Sequence, residues 1–152
     1  MYANVQTEKI KDGSLMFYYC DNLSEFSSDL SSLTDGAGMF DSCYNLTAFS
    51  TDLSSLRDGY AMFATCYNLT TFSSDLSSLT KCDSMFYLCQ ALESFTTNNL
   101  PNLTDGSNMF YVCDSLKNFY AKMANLSNGY AMFYGCSNLK SFSTDLSSLT
   151  DG

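Results

Sequence analysis

The residues that could do chemistry in this chain are cysteine, aspartate and tyrosine, and all three recur at fixed intervals. Six of the seven cysteines are Cys20, Cys43, Cys66, Cys89, Cys113 and Cys136, in steps of 23, 23, 23, 24 and 23 residues. A thiol attacks or ligates as the thiolate, which needs a nearby cation, a metal or a helix N-terminus. Each of these cysteines instead follows a Met-Phe pair and precedes a leucine by three positions. They read as buried thiols that pack like small apolar side chains. In stacked copies their Cβ vectors would run parallel, which is poor geometry for a disulfide. Cys82 stands where other copies carry Gly36, Gly59, Gly106 and Gly129. It reads as an exposed thiol, with a tether to an outside group as the alternative.

Aspartate forms two columns: Asp29, Asp52, Asp75 and Asp145 in one, and Asp12, Asp35, Asp58, Asp105 and Asp151 in the other. Asn99, Lys122, Lys81 and Asn128 interrupt them. Carboxylates from adjacent copies could share Ca²⁺, which takes oxygen ligands. The alternative is that each Asp caps a turn or a short helix. The capping reading is preferred, because no Asp-x-Asp-x-Asp loop is present, and no cofactor is expected. Catalysis has little foothold. The chain has no histidine, which removes the commonest general base and most zinc sites. No Gly-rich phosphate cradle appears, and nothing singles out one carboxylate pair for acid–base work. The chain is expected not to be an enzyme.

The element that must position these residues is one repeated unit. Met16, Met39, Met62, Met85, Met109 and Met132 set the register. A leucine follows each cysteine after three residues, and a phenylalanine (Phe26, Phe49, Phe72, Phe95, Phe119, Phe142) after three more. A period of this length marks a solenoid. One unit cannot bury its apolar residues alone, but stacked units turn like residues into continuous columns. Neighbouring rungs sit about 4.7–4.9 Å apart where strands pair.

Three pieces are predicted in each 23-residue rung. Asp-Gly gives a tight turn with Gly at positive φ. A short helical segment follows, as in Tyr130 to Cys136, because Met132, Cys136 and Leu139 share one helical face. A short strand comes next, with Phe142 inward and Ser141 and Ser143 outward. Asp-Leu-Ser-Ser-Leu-Thr then crosses the far side in a 3₁₀-like path. Phe95-Thr-Thr-Asn-Asn-Leu100 holds one residue more than its counterparts and predicts a bulge. The fold class is therefore an α/β solenoid of about six rungs, forming a single domain over 1–152. Residues 1–15 read as a degenerate half-repeat, with Ile10-Lys-Asp-Gly13 in register and Thr7 where a leucine is expected. Gly152 falls at a unit boundary with no polar cap, so the chain reads as an excerpt of a longer array.

The outward strand positions are the candidate binding face. One column holds Glu25, Thr71, Ser94, Asn118 and Ser141; the next holds Ser27, Ser73, Thr96, Tyr120 and Ser143. Such small polar groups could bind a glycan or a protein, or simply keep a sheet soluble. Tyrosines flank the Met-Phe pair, including Tyr18, Tyr87, Tyr111 and Tyr134, and read first as packing between rungs. Five Asn-Leu-Ser/Thr sequons occur, at Asn22, Asn45, Asn68, Asn102 and Asn125, and duplication alone explains the first three. The net charge of −9 argues against nucleic acid, which demands a basic footprint. No apolar run reaches the ~20 residues of a membrane span, so no direct insertion is expected.

The unit Asp-Leu-Ser-Ser-Leu-Thr-Asp-Gly-x-x-Met-Phe-x-x-Cys-x-x-Leu-x-x-Phe resembles the BspA-like leucine-rich repeats of bacterial and protist surface proteins. The likeness spans nearly the whole chain. It departs in a shorter unit and in Ser28, Thr51 and Ser74, where a second apolar strand residue would stand. The resemblance implies a right-handed superhelix, an extracellular or cell-surface location and an adhesive role toward a protein or glycan. It transfers no catalytic residue. The competing reading is a structural spacer or self-assembling element, since near-identical rungs could stack head to tail into filaments.

Overall fold

The computed structural model describes residues 2–3 and 9–152. Thr7 lies outside the described residues. Where the Cys-x-x-Leu phrase runs on to its phenylalanine, the chain extends. The strands are β1 Tyr2–Ala3, β2 Glu25–Phe26, β3 Ala48–Phe49, β4 Thr71–Ser73, β5 Ser94–Thr96, β6 Asn118–Phe119 and β7 Ser141–Phe142. Pairing is parallel throughout, as β1-β2, β3-β4-β5 and β6-β7. Register follows the repeat, with Phe49 beside Phe72 and Phe72 beside Phe95. A second parallel ladder of single bridges runs from Asp12 through Asp35, Asp58, Lys81, Asp105 and Asn128 to Asp151.

The core is one cluster built from the expected columns. The Met-Phe phenylalanines stack from Phe17 through Phe40, Phe63, Phe86 and Phe110 to Phe133, with centroids 5.3–5.5 Å apart. The strand phenylalanines stack beside them, 5.4–6.0 Å apart from Phe26 to Phe142. The two columns meet edge to face, as Phe49 meets Phe63 at 4.7 Å and 67°. Such aromatic pairs are worth about 0.5–1.5 kcal/mol each beyond the area they bury.

The expected helical segment is not there: no helix occurs among the described residues. Two positions per rung are left-handed instead. One column is Leu15, Gly38, Ala61, Ser84, Asn108 and Ala131; the other is Tyr19, Ser42, Thr65, Leu88, Val112 and Gly135. A left-handed residue interrupts an α-helix, so the segment becomes consecutive tight turns. Alternate N–H groups close those turns, as Met39 N–H donates to Gly36 O and Cys43 N–H to Phe40 O. The intervening groups leave the rung: the N–H of Gly36, Gly38, Phe40 and Ser42 donate to the O of Asp58, Tyr60, Met62 and Ala64. A helix would consume those donors internally. The stack uses them between rungs, and burial of Met39 and Phe40 accompanies each set.

The glycines of Asp-Gly are also placed for another reason than expected. Among the described glycines only Gly38 and Gly135 have positive φ. Gly13 and Gly36 are needed for room: an added Cβ would lie 2.9 Å from Met39 Sδ at the first and 3.0 Å from Met62 Sδ at the second. The far-side Asp-Leu-Ser-Ser-Leu-Thr path is a turn, closed where Leu33 N–H donates to Leu30 O.

Side chains fasten each rung to the one before it. Thr34, Thr80 and Thr150 donate Oγ1–H to Lys11 O, Arg57 O and Ser127 O. Asn45, Asn68 and Asn138 donate Nδ2–H to Asp21 O, Tyr44 O and Asp114 O. Ser74 and Thr144, in the column where an apolar strand residue was absent, donate to Thr51 O and Ala121 O at 2.7 Å each. The extra residue of the 24-residue step is absorbed between Thr96 and Leu100, and β5 and β6 belong to separate sheets. Thr97 occupies the position of Ser74 there, and its hydroxyl oxygen is buried without a partner.

Candidate functional site

The repeated thiols were expected to pack as small apolar groups. All seven are unbridged. Cys43, Cys66, Cys89 and Cys113 are buried, Cys136 is half-buried and Cys20 is exposed. Each from Cys43 onward donates its S–H to the Met-Phe carbonyl of the preceding rung, as Cys66 Sγ does to Phe40 O at 3.1 Å. That carbonyl already accepts an N–H from its own rung, such as Cys43 N–H on Phe40 O, so the thiol fills the second lone pair. Burial pushes the Cys43 thiol up to about 12 and the Cys136 thiol up to about 11, and drives Cys66, Cys89 and Cys113 well above their usual range. These are protonated structural donors. Cys82 is also buried rather than exposed, with its Sγ 3.6 Å from Asp105 O. Neither an exposed thiol nor a tether fits it.

The aspartates serve turns. Asp29, Asp52, Asp75 and Asp145 accept the N–H of Ser31, Ser54, Ser77 and Ser147 at 2.8–3.0 Å. Asp12, Asp35, Asp58 and Asp105 do the same two residues on. Those bonds hold the Asp29, Asp75 and Asp145 carboxyls below the ordinary carboxylate range. No cluster of three or more potential metal ligands occurs among the described residues.

Most tyrosine rings are committed to one another. Tyr87, Tyr111 and Tyr134 stack at 5.0 and 4.9 Å, and Tyr44 and Tyr67 at 5.4 Å. Stacking closes ring faces to a ligand, except at the exposed stack ends Tyr67 and Tyr134. Tyr120 differs. It stands on the strand face, 63% exposed.

That face carries all the outward positions identified from sequence. Glu25 and Ser27 stand on and beside β2, Thr71 and Ser73 on β4, and Ser141 and Ser143 on and beside β7. Ser94, Thr96, Asn118 and Tyr120 converge instead on one depression of about 330 Å³ where β5 and β6 part. Two residues not singled out from sequence complete it. Glu93 and Lys117 precede the two strands and form an ion pair, Nζ to Oε2, at 2.6 Å. Their opposite charges one repeat apart were the available signal. A smaller hollow of about 150 Å³ adjoins it, reached past Thr96 and Tyr120 and lined also by Thr97 and Asn99. Tyr120 Oη donates to Asn118 Oδ1 at 3.4 Å. The arrangement presents an ammonium, a carboxylate, an amide, hydroxyls and one aromatic ring. Glu93 is its one carboxylate, and no cysteine lines it.

A larger hollow, about 510 Å³, lies elsewhere. It is floored by Met132, Phe133, Phe142, Leu146 and Leu149, the core columns of the rung 129–152.

The family profile of the BspA-type leucine-rich repeat region matches residues 4–105 and 59–151, with six copies. The chain belongs to the BspA-type leucine-rich repeat family. No curated protein and no solved structure gives a significant match. Within this BspA-type array the consensus leucines are the buried columns, and the strand is cut to two or three residues per rung. No helix of the described residues is long and apolar enough to cross a membrane.

Proposed function

We propose that this BspA-type array is a non-enzymatic, surface-exposed binding module that engages a protein or glycan through its strand face. One observation carries the reading. Short polar side chains are held in fixed register by two phenylalanine columns behind them, and the face carries a recess between β5 and β6 where Glu93, Lys117 and Tyr120 stand out. A rigid, repeating polar surface with such a recess suits recognition, and solenoids commonly bind through such faces. The repeat family adds a general association with bacterial surfaces. Surface plasmon resonance against immobilised matrix proteins and glycans tests it. Thr71→Arg and Ser94→Arg should abolish binding, and Thr150→Arg on the far side should not. Equal loss from all three would defeat the assignment of this face.

A second reading, head-to-tail stacking of copies, is favoured by a different observation. The N–H groups of Ala131, Phe133 and Gly135 have no acceptor among the described residues, although their counterparts Asn108, Phe110 and Val112 donate to the following rung. Where no further rung of the chain follows, a second copy would supply one. Light scattering should then show rods that lengthen with concentration.

A further inference from the structure

We propose that the recess between β5 and β6 is a subsite for one neutral pyranose ring of a glycan. This rests on the strand-face reading and names its ligand class. The argument begins with size. At about 330 Å³ the recess lies at the small end of ligand pockets, enough for one sugar ring. Its chemistry is mixed in the way a sugar requires. A pyranose hydroxyl donates and accepts at once, and its C–H face is apolar. Lys117 and Asn118 offer donors, Glu93 and Thr96 offer acceptors, and the Tyr120 ring offers a platform whose faces no other described ring occupies. Tyr120 is the one aromatic residue in the two outward columns of the strand face.

Neutral sugars are preferred because Glu93 and Lys117 already neutralise each other, and the chain's net charge of −9 repels acidic ones.

The test is a titration of the ¹⁵N-labelled chain with methyl glycosides of glucose, galactose, mannose and N-acetylglucosamine, and with N-acetylneuraminic acid. At least one neutral sugar should give saturable shifts confined to amides 93–99 and 117–121, and the acidic sugar none. Tyr120→Ala should weaken that binding about tenfold, and Tyr120→Phe, which keeps the ring, should stay close to the parent. Tyr120 is exposed, so both variants should retain the parent melting curve. Shifts elsewhere, no shifts with any neutral sugar, or undiminished binding by Tyr120→Ala would each overturn the subsite. If sugars fail while a protein ligand is still lost on Thr71→Arg, the subsite falls and the strand-face reading survives. If binding is insensitive to Thr71→Arg and Ser94→Arg as well, both fall.

Discussion

Cys66 donates its S–H to the carbonyl of Phe40 across a rung boundary, 3.1 Å from Sγ to O. The contact explains why a thiol, rather than a plain apolar group, recurs at this position: it is small, tolerates complete burial and still supplies one weak donor.

Cys66→Val keeps the bulk and deletes the donor. It should cost about 0.5–1.5 kcal/mol, the usual net worth of a hydrogen bond. Cys66→Ala removes the sulfur as well and should cost more, about 2 kcal/mol given the void it leaves. Urea denaturation measures both. A neutral Val variant would show that the thiol contributes volume alone.

Thiol accessibility follows from burial. Cys20 should react with Ellman's reagent in the native state, while Cys43, Cys66, Cys82, Cys89 and Cys113 react only on unfolding. Titration with and without denaturant separates the two classes. Rapid native reaction of Cys82 would contradict its buried position.

Stability should depend on pH at both ends. Folded thiols hold their protons where unfolded ones, ionising near about pH 8.5, release them. That contribution is complete below about pH 8.5 and is lost as pH rises through about 12, the value for Cys43. The Asp29, Asp75 and Asp145 carboxyls are held low by the serine N–H groups they accept. Their contribution is complete above about pH 4, the unfolded value, and is lost as pH falls below it. Urea midpoints measured from pH 2 to 12 should give a plateau between these limits.

Backbone strain is greatest where a β-branched residue is left-handed, as at Val112 with φ +55°. Val112→Gly should stabilise the chain by about 1 kcal/mol, since the left-handed penalty is roughly 1–2 kcal/mol and glycine returns part of that as unfolded-state entropy. The reverse change next to it, Gly135→Val, should destabilise. Its Cβ would sit 3.0 Å from Val112 Cγ2 and 3.2 Å from Val112 Cα, on a backbone at φ +76°. Melting curves of the two variants should move in opposite directions.

The register of the stack was legible because Met, Phe, Cys and Leu repeat in type as well as in position, so each buried column could be named in advance. The local conformation was not. Met132, Cys136 and Leu139 have helical spacing, and the left-handed residues that break the helix are leucine, tyrosine, serine, threonine and valine more often than glycine, which conceals them. Gly13 and Gly36 suggested left-handed turns but serve the neighbouring methionine. Cys82 looked exposed because its column is otherwise glycine, yet that column faces inward. On the strand face, the hydroxyl columns and Tyr120 could be read from period-two alternation. The Glu93–Lys117 pair required placing successive copies side by side. Thr97 required knowing where the extra residue of its rung is absorbed.

The threonine and asparagine fastenings and the thiols of the Met-Phe-x-x-Cys column reach back from a later rung to an earlier one, while the N–H groups of Gly36, Gly38, Phe40 and Ser42 reach forward to the next rung. Each added copy therefore brings side-chain donors for carbonyls behind it and carbonyl acceptors for the N–H groups behind it, so both sides of the joint contribute. The joint is symmetric in that sense, and lengthening the array by one copy needs only partners one repeat away.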